Sequence, residues 1–361
     1  MKGKVVLAMS GGVDSSVAAF LLKREGYDVH GFFMNCRGNK KYWPSSINWK
    51  KEEKDVKMVC KNLGIKDLFV LDCEEGYERK VIAKTFEDYS RGLTPNPDIL
   101  CNNVGKFPGL LKRAEAIGAE FIATGHYARV RRRKKGFELL MGKDRKKDQS
   151  YFICGIGQEY LSRTIFPVGN LTKEEVREIA RQKRFPNWDK RSSRGICYLG
   201  KIDVKRFLHS RIKRKIGRVF SPSGKVVGSH PGQMFFTIGE RVGEKNGFLI
   251  DDSYRRSIGG KKLFVARKLS GNRLMVAPSG DVALETKKVF LKGFKFVCEK
   301  ETGNLKARIR HLGELYSGKL SRNGRRWSFV FGKGIVGVAE GQFLVLYKGE
   351  RLVGCGEIRL R

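Results

Sequence analysis

Residues 5–16 read VVLAMSGGVDSS, in which a short apolar run meets a glycine pair and then a helical pattern. The apolar run over residues 5–9 is typical of a strand buried in a parallel sheet. Gly11 and Gly12 lack a Cβ, so the backbone can approach an anion closely at this turn. The helix that follows offers free N–H groups and the positive end of its dipole, and both attract phosphate oxygens. This stretch therefore predicts a phosphate-binding loop between a strand and a helix.

The glycine loop, residues 10–16, differs from the commonest nucleotide-binding patterns. It is not GxGxxG, and it lacks the lysine with which GxxxxGK[ST] reaches a γ-phosphate. The hydroxyls of Ser10, Ser15 and Ser16 add donors instead. The segment SGGxDS in this context resembles the loop of PP-loop ATP pyrophosphatases, which cleave ATP between its α and β phosphates. That resemblance alone leaves the acceptor of AMP open.

Strand and helix patterns alternate through the first 130 residues. Strands are predicted over 5–9, 29–34, 68–71 and 121–124, and helices over 15–25, 54–63, 81–89 and 110–117. Such alternation predicts a doubly wound, mostly parallel α/β sheet with helices on both faces. Ligands of these sheets bind beyond the carboxyl ends of the strands, where the glycine loop would lie.

From about Lys215, after a further predicted helix over 173–183, the sequence changes character. Glycines become frequent and short runs of Val, Phe and Leu dominate, which predicts small β-structure. Residues 342–347, followed by Lys348, Gly349 and Glu350, predict a β-hairpin near the end of the chain.

The net charge indicates a polyanionic partner. The 361 residues include 74 Lys and Arg against 37 Asp and Glu, a formal net charge of +37. Residues 1–200 hold 39 basic and 24 acidic residues, net +15, and residues 201–361 hold 35 and 13, net +22. Nucleic acid is the first candidate partner, and a compositional bias without a partner is the alternative.

A membrane role is not expected. No stretch approaches the roughly 18 uninterrupted apolar residues of a membrane helix. The N-terminus runs straight into a short strand and lacks the longer apolar region and cleavage site of a signal peptide. These features predict a cytoplasmic protein.

The cysteines are scattered and form no CxxC pair, which argues against a zinc ribbon and a secreted disulfide framework. No metal site is predicted from them, and each is expected to be a small buried apolar residue unless its surroundings single it out. The eight are Cys36, Cys60, Cys73, Cys101, Cys154, Cys197, Cys298 and Cys355.

Two of these cysteines lie in distinctive surroundings. Cys101 ends the segment TPNPDILC of residues 94–101, where two prolines stiffen the chain and Asp98 can hydrogen-bond or take a proton. Cys197 lies in the basic, glycine-flanked segment RGICYLG of residues 194–200. Basic neighbours lower the pKa of a thiol and favour the reactive thiolate. Two such cysteines near one active site can pass sulfur between them.

Together these motifs resemble the tRNA-specific 2-thiouridylase family, which thiolates carbon 2 of the wobble uridine in the tRNA anticodon. The resemblance extends through the chain to GFFM at 31–34, ATGHY at 123–127, KDQSYF at 147–152, FPVG at 166–169 and the pair Arg310-His311. It implies a PP-loop domain over residues 1–200, a small central tRNA-binding domain over 201–277 and a C-terminal β-barrel over 278–361.

The resemblance also implies roles for individual residues. Cys197 would carry a persulfide, and Cys101 would be the nucleophile that ends in a disulfide with Cys197, with Asp98 as a third catalytic residue. ATP would be bound by Ala8, Met9, Ser10, Gly11, Gly12, Val13, Asp14, Ser15, Met34 and Gly125. The target base would meet Asn96, Pro97 and Asp98, and other parts of tRNA would meet Lys147, Asp148, Gln149, Arg310 and His311.

ATP and Mg²⁺ are the cofactors expected on this reading, and the partners are the tRNA anticodon arm and an upstream sulfur-relay protein or cysteine desulfurase. Transfer of AMP to the oxygen on carbon 2 makes that oxygen a good leaving group. Mg²⁺ would offset phosphate charge, and the target base would leave its stack to be reached.

Three alternatives stay open from the sequence. A PP-loop amidating ligase acting on a small adenylated acid would need neither Cys101, Cys197 nor the basic charge. A tRNA-binding protein that has lost catalysis would not need an intact SGGVDS loop. An iron–sulfur cluster held by Asp98, Cys101 and Cys197 is conceivable, but the persulfide route is favoured because no third nearby cysteine shows a metal-binding spacing.

Overall fold

A computed structural model describes residues 2–36, 47–190, 200 and 203–361 of the chain. These residues form a parallel α/β domain, a smaller mixed-sheet domain and a closed β-barrel, which confirms the predicted fold class. The domain boundaries after residues 200 and 277 stay predictions. Within the described ranges, no helix has both the length and the apolar character needed to cross a membrane.

The first domain is built on five parallel strands in the order β3-β2-β1-β4-β7, so β1 is central and the strand order reverses beside it. The predicted strands and helices over residues 5–124 and 173–183 are confirmed, with shifts of a few residues at their ends. Its elements are β1 (Lys4–Met9), α1 (Val13–Arg24), β2 (Asp28–Asn35), α2 (Trp49–Asn62), β3 (Leu68–Asp72), α3 (Glu74–Tyr77), α4 (Ala83–Ser90), α5 (Pro97–Cys101), α6 (Phe107–Ala116), β4 (Phe121–Ala123), β5 (Ala128–Arg133), β6 (Gly136–Met141), α7 (Gln158–Leu161), β7 (Thr164–Ile165) and α8 (Lys173–Gln182).

Both faces of this sheet are buried. Val5 and Leu7 of β1 face a cluster that contains α1, α2 and α8, and Val6 faces the opposite cluster. The second cluster extends into the other two domains, where it includes Val265 and Tyr347. The three domains therefore share one continuous apolar core.

The central domain contains a five-stranded sheet in the order β10-β9-β8-β12-β11, in which only the β12–β8 pairing is parallel. Its glycine-rich sequence provides the tight turns between short strands, as the composition predicts. The elements are α9 (Val204–His209), β8 (Gly217–Phe220), β9 (Val226–His230), β10 (Leu249–Ile250), α10 (Asp252–Ser257), β11 (Leu263–Leu269) and β12 (Arg273–Pro278).

The C-terminal barrel has six strands in the order β13-β16-β15-β14-β17-β18 and closes by pairing β13 with β18. The predicted hairpin near the end of the chain is confirmed, because Lys348 pairs with Arg351 across a two-residue turn. The strands are β13 (Glu285–Phe296), β14 (Gly303–Arg308), β15 (Tyr316–Asn323), β16 (Arg326–Val336), β17 (Phe343–Lys348) and β18 (Arg351–Arg359).

The hairpin formed by β5 and β6 was not predicted from the sequence. It belongs to the first domain by chain order, yet it joins the barrel where Leu140 pairs with Arg351 of β18. The barrel is thereby attached directly to the residues that follow the ATGHY motif.

Candidate active site

The glycine loop joins β1 to α1 at the carboxyl edge of the sheet, as predicted. Gly11 has a φ of +71°, in the left-handed region where a side chain is strained. The Ser15 hydroxyl donates to Gly12 O (2.9 Å), and Ser10 N donates to Ser15 Oγ (3.2 Å), which closes the loop on the first turn of α1. The N–H groups of that turn have no partner within the helix, so the loop can bind phosphate oxygens.

The strand ends on both sides of β1 border this loop. Met34 is buried near the end of β2, on one side. Gly125 follows β4 on the other side, and a Cβ there would lie 2.9 Å from the backbone carbonyl carbon of Asp14 and 2.9 Å from Ser15 N. A side chain at Gly125 would therefore push against the first turn of α1. The residues predicted to bind ATP gather around this loop.

Two residues that were not singled out from the sequence contact Asp14. Lys173 Nζ donates to Asp14 Oδ1 (2.5 Å), and the Tyr127 hydroxyl donates to the same oxygen (2.7 Å). Burial lowers the pKa of the Lys173 ammonium, while the Asp14 carboxylate opposes that shift. Burial and the same carboxylate raise the pKa of Tyr127, so its hydroxyl stays protonated and donates. The loop carboxylate is thus held between a buried cation and a phenol.

Residues 96–101 form one rigid unit around the short helix α5. Asn96 caps this helix, and its Oδ1 accepts from a backbone N–H of the first turn (3.1 Å), while Pro97 occupies that turn. Asp98 is half-buried one residue further on, and Cys101 is fully buried at the end of the helix. The residues predicted to meet the target base therefore share a helix with the predicted nucleophile.

The barrel anchors the chain that leads into this helix. Gln342 Nε2 donates to Thr94 O (2.9 Å) and Pro95 O (3.2 Å), and Gln342 Oε1 accepts from Asn96 Nδ2 (3.3 Å). Gln342 was missed by sequence reasoning, because it lies 246 residues from Asn96 and no local pattern marks it.

Asp148 lies in the junction between the first domain and the barrel. Its carboxylate is fully buried and accepts from Arg308 Nη1 (2.7 Å) and from the backbone N and hydroxyl of Ser150 (both 3.1 Å). These contacts orient the segment that contains Lys147 and Gln149, both half-buried. Contacts of these three residues with tRNA stay predictions, and the carboxylate of Asp148 faces the junction.

His311 of the predicted pair Arg310-His311 packs against the same segment. Arg310 is exposed, and the His311 ring lies on the ring of Phe152 with their centroids 4.1 Å apart. Burial lowers the pKa of His311 to about 4, so its ring is neutral at pH 7. The structure thus brings residues 147–152 and 308–311 together in one largely buried junction, although about 160 residues separate them in the chain.

Two clefts are lined at least in part by residues of the central domain. The first, of about 510 Å³, lies where the three domains meet and is lined by Thr94, Thr237, Arg310 and Gln342 among others. The second, of about 820 Å³, lies in the central domain. Its basic lining residues are Lys205, Arg206, His209, Lys213, Arg214 and Lys245.

The cysteines depart from the sequence-based expectation at the pair Cys36 and Cys73 and at Cys298, whose side chain is half-exposed. Cys36 and Cys73 form a disulfide between the ends of β2 and β3, so the expectation that each is an isolated apolar residue is wrong for this pair. It is confirmed for Cys60, Cys154 and Cys355, which are buried.

Cys197 lies outside the described residues, so its predicted persulfide and its disulfide with Cys101 stay predictions. The same holds for the alternative cluster of Asp98, Cys101 and Cys197. Among the residues that the structure describes, no three His, Cys, Asp or Glu side chains converge as a metal site.

Comparisons with known proteins match all three domains. Family models match residues 3–201 as a tRNA methyl transferase HUP domain, residues 205–278 as a tRNA methyl transferase PRC-barrel domain and residues 286–358 as an aminomethyltransferase beta-barrel domain. A phosphate-binding loop on a HUP sheet, joined to these two β domains, defines a class of nucleotide-binding proteins related to tRNA-modifying enzymes.

Curated relatives narrow this class. The chain is 41% identical over 283 residues to the tRNA-specific 2-thiouridylase MnmA of Methylobacillus flagellatus, covering 78% of this chain and 76% of that protein. It is 39% identical over 367 residues to the MnmA of Burkholderia multivorans, covering 99% and 93%. The chain belongs to the tRNA-specific 2-thiouridylase family, as its motifs indicate.

Solved structures give partial likenesses. A 4-thiouridine synthetase–RNA complex with bound ATP has a TM-score of 0.39 at 17% identity and covers 58% of this chain and 50% of that chain. NMN synthetase from Francisella tularensis has a TM-score of 0.33 at 18% identity and covers 53% of this chain and 66% of that chain.

Proposed function

We propose that this protein transfers sulfur to carbon 2 of the wobble uridine in tRNA while splitting ATP to AMP and pyrophosphate. The observation that supports it best is a continuous path of contacts between the glycine loop and the helix that contains Cys101. Tyr127 donates its hydroxyl to Asp14 of the loop, and its backbone N donates to Gln149 Oε1 (3.0 Å). Three residues further on, Phe152 O accepts from Asn102 Nδ2 (3.0 Å), next to Cys101.

This path would connect the proposed phosphate and base sites with Cys101, as adenylation followed by sulfur transfer requires. The uridine oxygen on carbon 2 attacks the α-phosphorus of ATP, and pyrophosphate leaves. Sulfur then attacks carbon 2, and the oxygen leaves with AMP. The glycine loop would bind the phosphates, and the half-buried Asp98 beside Asn96 would orient the base and accept its proton.

The sulfur would come from a persulfide on Cys197. The Cys101 thiolate attacks the inner sulfur, a Cys101–Cys197 disulfide forms and the outer sulfur is transferred to the base. An external reductant then restores both thiols. A sulfur-relay protein or a cysteine desulfurase would load Cys197.

Mg²⁺ would enter with ATP. This ion is usually held by one or two carboxylates together with substrate phosphates, and Asp14 is the carboxylate at the glycine loop. When bound, Mg²⁺ would neutralise phosphate charge. Lys173 already supplies a positive charge to the same carboxylate.

The anticodon arm of tRNA is the proposed RNA partner. The net charge of +37 and the basic cleft of the central domain favour binding to an RNA backbone. The exposed Arg310 lines the cleft between the domains, where an unstacked anticodon base would fit, and the adjacent His311 stacks on Phe152. We also propose that the protein is cytoplasmic, since these partners are expected in that compartment.

Labelled sulfur tests the proposal. A cysteine desulfurase with ³⁵S-cysteine is expected to label wild-type protein on Cys197 and then, with ATP, the wobble uridine of tRNA. Cys101→Ser is expected to accept label but not to release it, whereas Cys197→Ser is expected not to accept it. Absence of 2-thiouridine with the wild-type protein would contradict the proposal. An adenylated small acid as product would support the amidating ligase instead, which the family relationship does not favour.

A further inference from the structure

The carbonyl groups of the glycine pair are turned toward the protein interior by a buried amide. Asn187, only 2% exposed, donates from Nδ2 to Gly11 O (2.9 Å) and to Ser16 Oγ (3.0 Å). The Ser16 hydroxyl in turn donates to Gly12 O (3.2 Å). Asn187 Oδ1 has no hydrogen-bond partner among the described residues, so the structure uses this amide as a donor.

A lysine contacts the same loop from the side of α2. Lys190 Nζ lies 3.1 Å from Gly11 O, 2.6 Å from Glu52 Oε2 and 3.5 Å from Asp55 Oδ2. The loop packs directly on α2, because a Cβ at Gly11 would lie 2.3 Å from Glu52 Oε2. Gly11 is thereby clamped between α2 and the chain that follows α8.

These contacts determine which way the loop's peptide groups point. In a planar trans peptide the C=O and the next N–H point in opposite directions. With Gly11 O directed at Asn187 and Lys190, the N–H of Gly12 points outward and donates to Oγ of exposed Ser10 (3.3 Å). A phosphate is attracted by outward N–H groups and repelled by outward carbonyl oxygens.

We propose that Asn187 and Lys190 are positioning residues that hold the glycine loop in its phosphate-binding form. The inference rests on the proposed function, since it takes the triphosphate of ATP as the ligand of the loop. It predicts that the two residues govern affinity for ATP and pyrophosphate but affect AMP much less. Cys197 lies seven residues after Lys190 in the sequence. Lys190 therefore joins the glycine loop to the segment of chain that leads to Cys197, the residue proposed to carry the persulfide.

The test compares ligands that differ in their phosphates. Dissociation constants of ATP, pyrophosphate, AMP and a tRNA anticodon arm are measured by titration calorimetry for wild-type protein, Lys190→Met, Asn187→Asp and Lys190→Arg. Asn187→Asp conserves shape but removes the donor. Lys61→Met, an exposed lysine of α2, is the matched control. The double variant Lys190→Met/Glu52→Gln shows whether the effect comes only from leaving the Glu52 carboxylate, the nearer of the two, unpaired.

We expect the dissociation constants of ATP and pyrophosphate to rise about 10-fold to 100-fold in Lys190→Met, in its double variant and in Asn187→Asp. Those of AMP and tRNA should change less than about 3-fold, and Lys190→Arg should stay near wild type. An unchanged ratio of ATP to AMP affinity in folded variants would overturn the inference. If wild-type protein binds ATP but forms no 2-thiouridine, the proposed function fails while the positioning role stands.

Discussion

The glycine loop and the junction at Asp148 are built in opposite ways. Hydrogen bonds within the loop join residues at most five positions apart, and its more distant partners Tyr127, Lys173 and Asn187 all lie in the first 200 residues. The junction joins Asp148 to Arg308 across 160 residues. The comparison indicates that the nucleotide site belongs to one domain, whereas the proposed RNA-facing surface depends on how the domains meet. Substitutions in the glycine loop should therefore affect the use of ATP, and substitutions at the junction should affect the binding of tRNA.

The largest effect on the reaction rate is expected from a methyl group at the loop. In Gly125→Ala the new Cβ would press on the backbone of Asp14 and Ser15 at 2.9 Å. A Cβ contact this short forces the neighbouring backbone to shift, and a misplacement of about 1 Å at a catalytic site costs on the order of 100-fold in rate. We expect ATP-dependent thiolation to fall by about that factor with the tRNA dissociation constant unchanged. Gly76→Ala, where a Cβ meets no described atom within 4 Å, is the control.

Removal of one partner at the junction should give the reverse pattern. Arg308→Met leaves the fully buried Asp148 carboxylate without its cation, which destabilises a protein by about 3–5 kcal/mol. We expect chemical denaturation to show this loss and tRNA binding to weaken, while ATP affinity of the folded protein stays unchanged. Lys319→Met, on the exposed face of β15, should change neither quantity. Equal losses of ATP and tRNA affinity would remove the distinction between the regions.

The Cys36–Cys73 disulfide tests how far the nucleotide domain depends on a link between strand ends. It closes a segment with a sequence separation of 37 residues, for which chain-entropy arguments give roughly 3–4 kcal/mol. Reduction, or the double substitution to Ser, should lower the free energy of unfolding by about that amount. Cys298→Ser, at a half-exposed thiol, serves as the control. Equal stability of the reduced and oxidised protein would show that the link contributes nothing.

The smallest effect concerns pH at the junction. The pKa of His311 is about 4 in the folded protein because of burial, against about 6.5 in an unfolded chain. Its contribution to stability is therefore complete above pH 6.5 and is lost as the pH falls toward 4. Asp148 opposes this shift, while Arg308 and Lys147 reinforce it.

Comparison of wild-type protein with His311→Phe measures this contribution. After allowance for partial exposure, the wild type should lose about 1 kcal/mol more than His311→Phe between pH 7 and pH 5. Parallel pH profiles of unfolding free energy would contradict the assignment. The affinity for tRNA between pH 7 and pH 8 should not titrate through this ring.

The sequence predicted those parts of the structure that are determined by residues close together in the chain. Residues 97–101 were expected only as a stiff loop and form the helix α5, whereas the glycine loop and the parallel strands follow from local patterns. The partners of those motifs do not, because Lys173 and Tyr127 reach Asp14 across 159 and 113 residues. The Cys36–Cys73 link was missed for the same reason, since only the pairing of β2 with β3 brings their ends together.

The central claim is that ATP adenylates the uridine oxygen on carbon 2 before sulfur replaces it. It can be tested with a synthetic tRNA anticodon arm that carries ¹⁸O at carbon 2 of its wobble uridine. The protein is incubated with this RNA, ATP and a persulfide donor, and AMP is analysed by mass spectrometry. The account predicts one ¹⁸O atom in each AMP released and one 2-thiouridine formed for each AMP. Unlabelled AMP with ¹⁸O recovered in water, or ADP as the nucleotide product, would contradict it.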